Sequence, residues 1–376
     1  MSSSARVISS FLGFRTLTRQ EIQAKTSLSR VTVSQVVQEL IDHKILIEAD
    51  QLPSNGGRKP NALTVNPDCG YIGICYFSAT ALTVAVSDLS GVIKNERREF
   101  NMIEEGPAKA LPRSSEWLLE ALKGIPKSKL LGIVVGVPGP VEHKTGVVIN
   151  PPIMRGWDGV NISAHFNDIF DVPVFLENDV NLMVIAEHRL IYPDVDNLIF
   201  VKMSTGIGSG LIIDGRLYRG SQGSAGDIGH VQLDALKGLP CRCGHHDCVE
   251  SFSSGWALIE KLKGMGYKVK TVSDLVSAAR KGNAEITRIL NEAAGYIGHA
   301  IADAVNLLNP SKVVIQGRIS ESSDRVLATI KEVVYQRASA LASKNLEIVS
   351  SKLDENRGIY GAAQLGIEEF FFSDRI

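Results

Sequence analysis

The chain has 376 residues, of which 44% are hydrophobic and 22% charged, and its formal net charge is −1. This composition suits about two or three domains with apolar cores. It excludes a polycationic protein, so any affinity for nucleic acid must be local. The sequence has neither a run of about 18 apolar residues nor a basic start followed by an apolar stretch, which argues against membrane spanning and secretion. We expect a cytoplasmic protein.

The first 66 residues, here called the head, carry signals for three helices. The apolar pattern of residues 5–12 predicts the first helix. Thr18 followed by Glu21 forms a capping box, which predicts the start of the second helix. Ser29 is a suitable N-cap for a third helix over residues 31–46, whose apolar side chains recur at helical spacing. The short connection between the second and third helices predicts a helix-turn-helix, whose last helix lies in the major groove of DNA.

Polar residues near the start of this third helix can bond to bases or phosphates. They are Arg30, Thr32, Ser34, Gln35 and Gln38. Two strand-like runs then flank a glycine-containing loop, which predicts a wing with a basic tip at Arg58 and Lys59. The head holds eight Lys and Arg against five Asp and Glu. Each feature alone also fits a small helical module with a solvated loop, but their order favours a winged helix-turn-helix that binds double-stranded DNA.

Beyond residue 70, strand and helix patterns alternate along the chain. The run over residues 130–141 is almost entirely apolar, which is typical of a central strand that is buried on both faces. The other predicted strands cover residues 71–78, 81–93, 174–176, 198–203 and 313–316. The predicted helices cover residues 114–122, 162–170, 180–190, 257–263, 272–279, 285–308 and 323–341. This alternation predicts an α/β body in which helices cover the sheets.

A cysteine cluster follows the middle of the chain. Cys241, Cys243 and Cys248 have C-x-C-x4-C spacing, and His230 precedes them. Three thiolates and one imidazole make a closed four-ligand set of the kind that structural zinc prefers. Ordinary buried thiols are the alternative, since free cysteine packs like a small hydrophobe. Because three of the five cysteines fall within eight residues, the spacing favours one structural zinc.

Several segments resemble the ROK family, named for its repressors, open reading frames and sugar kinases. The segments are Gly136–Val141, Pro173–Asn181, Ser204–Val231 and Cys241–Glu250, together with Gly57–Pro60, which resembles the wing of the repressor branch. The resemblance covers essentially the whole chain. It implies an actin-like ATPase (ribonuclease H-like) body of two lobes behind a winged helix-turn-helix. The corresponding domains would be 1–66 (DNA binding), 67–180 (first lobe) and 181–376 (second lobe with the zinc loop).

The resemblance also implies a sugar in the cleft between the lobes. Its hydrogen-bonding residues would be Asn178, Asp179, Asp227, His230 and Glu250, with His230 serving both zinc and sugar. Carboxylates and amides suit vicinal hydroxyls, and a buried polar group left unpaired is costly, which gives selectivity. Any one of these acids could instead be a surface or capping residue. The family usually has glutamate at the position of Asp227, so the shorter side chain predicts a different or smaller sugar, or a bridging water.

The family's kinases use the residue matching Asp179 as general base, with three motifs that hold ATP. Of these motifs, Ser204–Gly210 is intact. The first lacks its aspartate at Cys75 and has Phe77 where a glycine is required, and the third, Val314–Arg318, has lost one glycine. We therefore expect no enzyme activity and no catalytic residue, with Asp179 in the vestigial base position.

These observations together predict a sugar-controlled transcriptional regulator, most simply a repressor. We expect a homodimer or homotetramer on a palindromic operator, with a sugar or sugar phosphate as effector. An active sugar kinase that carries a head is the first alternative. A repressor whose body docks a protein partner is the second.

Overall fold

The computed structural model describes residues 2–11, 13, 16–49, 62–234 and 238–372. The chain forms two compact units, Met1–Leu182 with Asn356–Ile376, and Met183–Glu355. Each unit contains a sheet with its own apolar core, so the predicted α/β class is confirmed. In the described part of the chain, no helix is long and apolar enough to cross a membrane.

The first unit begins with the head. Its elements are α1 (Ser3–Ser9), β1 (Leu17–Thr18), α2 (Arg19–Thr26), α3 (Arg30–Asp42), β2 (Leu46–Glu48) and β3 (Ala62–Val65). The predicted capping box is present: the Glu21 amide donates to the Thr18 hydroxyl at 3.3 Å, and the Thr18 amide donates to the Glu21 carboxylate at 2.7 Å. The three strands form an antiparallel sheet in the order β1-β3-β2, of which β1 was not predicted. The predicted wing tip, Arg58 and Lys59, lies outside the described residues.

A five-stranded sheet follows the head in the first unit. Its elements are β4 (Tyr71–Phe77), β5 (Ala81–Asp88), β6 (Ile93–Phe100), α4 (Pro107–Ala121), β7 (Leu130–Val137), β8 (Val141–Glu142), β9 (Val147–Val148), α5 (Ile162–Phe170), β10 (Val174–Asn178) and the start of α6 (Asp179–Leu190). The strand order is β10-β7-β4-β5-β6, with β7 parallel to both of its neighbours. This interior position explains the nearly continuous apolar run of β7.

The second unit contains another five-stranded sheet and a long helix pair. Its elements are β11 (Leu198–Met203), β12 (Ile207–Ile213), β13 (Arg216–Leu217), α7 (Val249–Ser253), α8 (Gly255–Gly264), α9 (Val272–Arg280), α10 (Ala284–Leu308), β14 (Lys312–Gln316), α11 (Asp324–Arg337), α12 (Ala340–Ser343) and β15 (Glu347–Ser350). The strand order is β13-β12-β11-β14-β15. Helix α10 packs against α11 and buries an apolar stripe of 3.6-residue period in the core.

The last helix, α13 (Arg357–Phe370), belongs to the first unit, whereas the predicted second lobe, 181–376, includes it. It packs against β4 and β7. Glycines permit this close approach, because a Cβ at Gly366 would overlap the side chain of Ile72 on β4 and crowd that of Val134 on β7. A Cβ at Gly361 would likewise overlap the carbonyl oxygen of Leu182 on α6. The other predicted boundary, near residue 180, falls two residues from the end of the first segment of this unit.

Candidate functional site

The predicted metal ligands lie together in the second unit. The ligand atoms of His230, Cys241, Cys243 and Cys248 are all within 4.8 Å of one another. The Cys241 Sγ lies 3.6 Å from the His230 Nδ1, and the sulfur atoms of Cys243 and Cys248 are 3.7 Å apart. Burial raises the pKa of the Cys241 and Cys248 thiols. This cluster can hold one metal ion, which would displace the thiol protons.

Backbone contacts fix the loop that carries the three cysteines. Gly244 has a φ of +91°, which allows a tight turn, and the Cys241 amide donates to the His245 carbonyl at 2.8 Å. Asp247 also has a positive φ, +62°, and its carboxylate accepts hydrogen bonds from the amides of Gly238 and Leu239 at 2.5 and 3.0 Å. Asp247 therefore organises the loop, a role that the sequence pattern does not indicate.

His230 and Asp227 sit on a short turn against β12. Side chains at Gly226 and Gly229 would overlap the carbonyl oxygens of β12, so both glycines are required for this contact. The Asp227 carboxylate lies 3.9 Å from the His230 Nε2, while the other ring nitrogen faces Cys241. Partial burial raises the pKa of Asp227, although 53% of its side chain is exposed and solvent limits the effect. One imidazole thus faces both the metal cluster and a carboxylate.

Glu250 is buried and bonded within the second unit. One carboxylate oxygen accepts a hydrogen bond from the Ile207 amide at 2.9 Å, and the other accepts from the Trp256 indole at 3.3 Å. Its side chain therefore fixes the beginning of β12. Each oxygen keeps a further lone pair for another donor.

Asn178 and Asp179 lie in the first unit, where β10 passes into α6. The Asn178 side chain donates to the Gly139 carbonyl at 3.0 Å and accepts from the Val180 amide at 2.9 Å, so it joins the 136–141 segment to the start of the helix. Asp179 is 2% exposed. Burial and then the charge of Asp179 raise the pKa of Tyr76, whose hydroxyl has no hydrogen-bond partner among the described residues. No sequence pattern marks this tyrosine as part of a site.

Helix α3 presents the predicted DNA-contacting residues. Arg30, Ser34, Gln35 and Gln38 are exposed, and four apolar residues on the opposite side are buried. Thr32 is partly buried, and its hydroxyl lies 2.8 Å from that of the N-cap Ser29. The Gln35 and Gln38 amides donate to Glu39 and Asp42 at 3.1 and 2.9 Å.

Comparison with known proteins finds a family model and relatives that match most of this chain. The family model described as "ROK family" matches residues 72–369. The xylose repressor of Caldicellulosiruptor bescii is 29% identical, and the match covers 96% of this chain and 94% of that protein. The DNA-binding transcriptional dual regulator NagC of Escherichia coli is 28% identical, with 91% and 87% covered.

Two groups of solved structures share the fold. A ROK family transcriptional regulator, a homolog of the E. coli MLC protein, has a TM-score of 0.81 and 22% identity, with 96% of this chain and 94% of that chain covered. A ROK family glucokinase from Streptomyces griseus has a TM-score of 0.67 and 23% identity. That match covers 79% of this chain and 99% of the kinase.

Proposed function

The chain belongs to the ROK family, and we propose that it is a transcriptional repressor whose head binds operator DNA and whose body senses a sugar. The observation that carries this function is that the similarity to the xylose repressor spans 96% of this chain, head and body together. The order of α1, α2 and α3 in the head is that of a winged helix-turn-helix. Helix α3, which Ser29 caps, would be the recognition helix that enters the major groove.

Operator binding is assigned to one face of α3 and to the wing. Arg30, Ser34, Gln35 and Gln38 supply donors and acceptors for bases and phosphates, Thr32 lies beside them in the cap, and Arg58 and Lys59 would contact the backbone. Selection of DNA by the full-length protein from a random duplex library, followed by footprinting, tests this assignment. A protein that enriches no sequence at 100 to 200 mM salt is not a sequence-specific repressor.

We further propose a homodimer or homotetramer on a palindromic operator. Two heads on half-sites about 34–36 Å apart would each contact one major groove. A change of a few ångströms in their separation would then alter affinity, and sugar and DNA would affect each other's binding reciprocally. Sedimentation of the protein and of its operator complex measures the stoichiometry, and one head per operator would contradict the palindromic arrangement.

Sugar sensing is assigned to the polar residues that match the family's sugar site. They are Asn178, Asp179, Asp227, His230 and Glu250. Buried carboxylates that lose a hydroxyl partner are penalised, so such residues discriminate between sugars. The names of two relatives, the xylose repressor and the N-acetylglucosamine repressor of Escherichia coli O157:H7, suggest xylose and N-acetylglucosamine as the first sugars to test, each free and phosphorylated.

Thermal-shift titration with this panel tests the assignment. The Asp179→Asn variant is compared with a control, Asp168→Asn, which changes an exposed aspartate of α5 in the same unit. A shift that disappears only in Asp179→Asn supports the site. No shift with any sugar would instead favour control by a protein partner.

The metal in the cysteine cluster is proposed to be zinc. With Zn–S bonds of about 2.3 Å and Zn–N bonds of about 2.0–2.1 Å, tetrahedral geometry separates two sulfurs by about 3.8 Å and a sulfur from a nitrogen by about 3.6 Å. The observed separations of 3.7 and 3.6 Å match both values. His230, Cys241, Cys243 and Cys248 complete the four ligands, so the metal would stabilise the loop and offer no open position for catalysis.

Phosphoryl transfer is proposed to be absent. Cys75 and Phe77, at the positions of the kinase aspartate and glycine, are fully buried in the first unit. Burial raises the pKa of the Cys75 thiol, so it stays neutral and cannot replace a carboxylate near magnesium. A coupled ATP assay with the same sugar panel tests this, and turnover that is lost in Asp179→Asn would establish the kinase alternative.

A further inference from the structure

One valine lies on the DNA-facing side of the recognition helix. Val31, Ser34, Gln35 and Gln38 are spaced i, i+3, i+4 and i+7, so they form one stripe along α3. Val31 is 77% exposed, whereas the buried apolar residues on the opposite side of the same helix are at most 7% exposed. The apolar core of the head therefore does not include Val31.

Local structure does not account for a valine at this position. Valine is a weaker helix former than alanine, and an exposed valine in the first turn adds no packing. Single exposed apolar residues are common on protein surfaces. This one, however, lies beside Arg30 in the N-terminal turn, which is the part of a recognition helix that approaches base edges.

The chemistry of the major groove supplies a partner for such a side chain. The 5-methyl group of thymine is the apolar feature that base pairs display there. The two methyl groups of a helical valine are held in one preferred rotamer, so they present a fixed apolar surface. Ser34 and Gln35, one turn further along the same stripe, can hydrogen-bond to the same or the adjoining base pair.

We propose that Val31 contacts the 5-methyl group of a thymine in each operator half-site and so specifies an A·T pair there. This inference rests on the proposed DNA-binding function. It adds an apolar specificity contact to a face that otherwise consists of polar residues.

The test uses the full-length protein and an operator obtained from the random library. Each thymine is replaced singly by deoxyuridine, which removes only the methyl group. For the wild type, we expect one position per half-site where the affinity falls about threefold to fivefold, as for the loss of one buried methyl group. For Val31→Ala, the same replacement should have no effect, whereas Val31→Thr, which keeps one methyl, should give an intermediate loss.

Val92→Ala is the matched control, because Val92 is also exposed, at 54%, but lies outside the head. It should leave every affinity unchanged. The thymine contact would be overturned if the wild-type protein tolerated every deoxyuridine replacement. It would also be overturned if Val31→Ala lowered the affinity for every duplex equally. Failure to select any DNA would overturn the repressor function itself, so the two failures are distinguishable.

Discussion

The carboxylate of Glu250 accepts a hydrogen bond from the backbone amide of Ile207 at 2.9 Å. Glu250 follows Cys248 of the candidate metal cluster by two residues, and Ile207 is the first residue of β12 in the glycine-rich segment. The end of the cysteine loop is thereby fixed to the start of the strand. Two segments that the sequence assigns to separate tasks, metal binding and an ATP motif, form one local structure.

Replacing Glu250 by alanine should destabilise the protein. The buried amide of Ile207 would lose its partner, at a cost of about 1–3 kcal/mol, and the Trp256 indole would lose its acceptor as well. Urea denaturation measures the difference. Glu260→Ala is the control, because Glu260 is 62% exposed and paired only with Lys263 among the described residues. Equal stability of the two variants would show that the Glu250 contacts carry no net energy.

Cys243→Ser should release the metal. The wild type should contain about one zinc per chain by atomic emission, and the variant about none, because the hydroxyl of serine is a poor ligand for this ion. We expect a loss of at least about 2 kcal/mol in stability and no response to the sugar. Cys69→Ser, which changes a cysteine outside the cluster, should keep both the zinc and the sugar response. Full zinc content together with an intact sugar response in Cys243→Ser would exclude Cys243 as a ligand.

Local chemistry made parts of this structure predictable. The capping residues Thr18 and Ser29 bond to amides within three residues of themselves, so their sequence pattern is sufficient to locate α2 and α3. The grouping of the candidate metal ligands was predictable for the same reason, since the three cysteines lie in one loop and His230 alone among the four comes from outside it.

Long-range contacts explain what the sequence did not predict. Strand β12 contains Gly208 and Gly210, which disfavour strands, and it is stabilised by antiparallel pairing with β11. The placement of α13 in the first unit depends on glycines that contact residues almost 180 positions away in the sequence, as Gly361 contacts Leu182. The bonds that occupy Glu250 are likewise invisible without the fold, because Ile207 lies 43 residues earlier.

His188 should make stability depend on pH. Its imidazole is 2% exposed, accepts from Arg189 at 2.6 Å and donates to the Val195 carbonyl at 2.9 Å. Burial, and then the charge of Arg189, lower its pKa to about 4. Between about pH 6.5 and 4 the unfolded chain binds more protons than the native state. The stability that the neutral, buried His188 contributes is therefore complete above about pH 6.5 and falls on acidification. By pH 5 the loss should be roughly 2 kcal/mol.

Urea denaturation between pH 7.5 and 5 measures this effect. Glutamine at position 188 can keep both hydrogen bonds without titrating, so His188→Gln should lose less stability on acidification than the wild type does. Any release of metal at low pH is common to both proteins and cancels in the comparison. His43→Gln, which changes an exposed imidazole, should follow the wild type. Parallel pH profiles for His188→Gln and the wild type would contradict the prediction.

Arg30→Ala should weaken DNA binding on all sequences alike if the guanidinium contacts phosphate. The slope of log affinity against log salt should then become less steep by about 1, because one fewer counterion is released. Arg155→Ala, an exposed arginine outside the head, should leave the slope unchanged. A loss confined to duplexes with one particular guanine would instead assign Arg30 to a base edge.

Phe77 is expected to stand where the family's kinases have glycine, and its packing predicts that one substitution does not restore that motif. Its fully buried ring meets Trp157 edge to face, with the centroids 5.4 Å apart. Removing the ring leaves a cavity in the core of the first unit, so Phe77→Ala should cost about 3–5 kcal/mol, and Phe77→Gly should cost more. Phe100→Ala removes the same ring from a site that is 64% exposed and should cost about 1 kcal/mol or less. Urea denaturation compares the variants, and equal losses would mean that the Phe77 site collapses without a cavity.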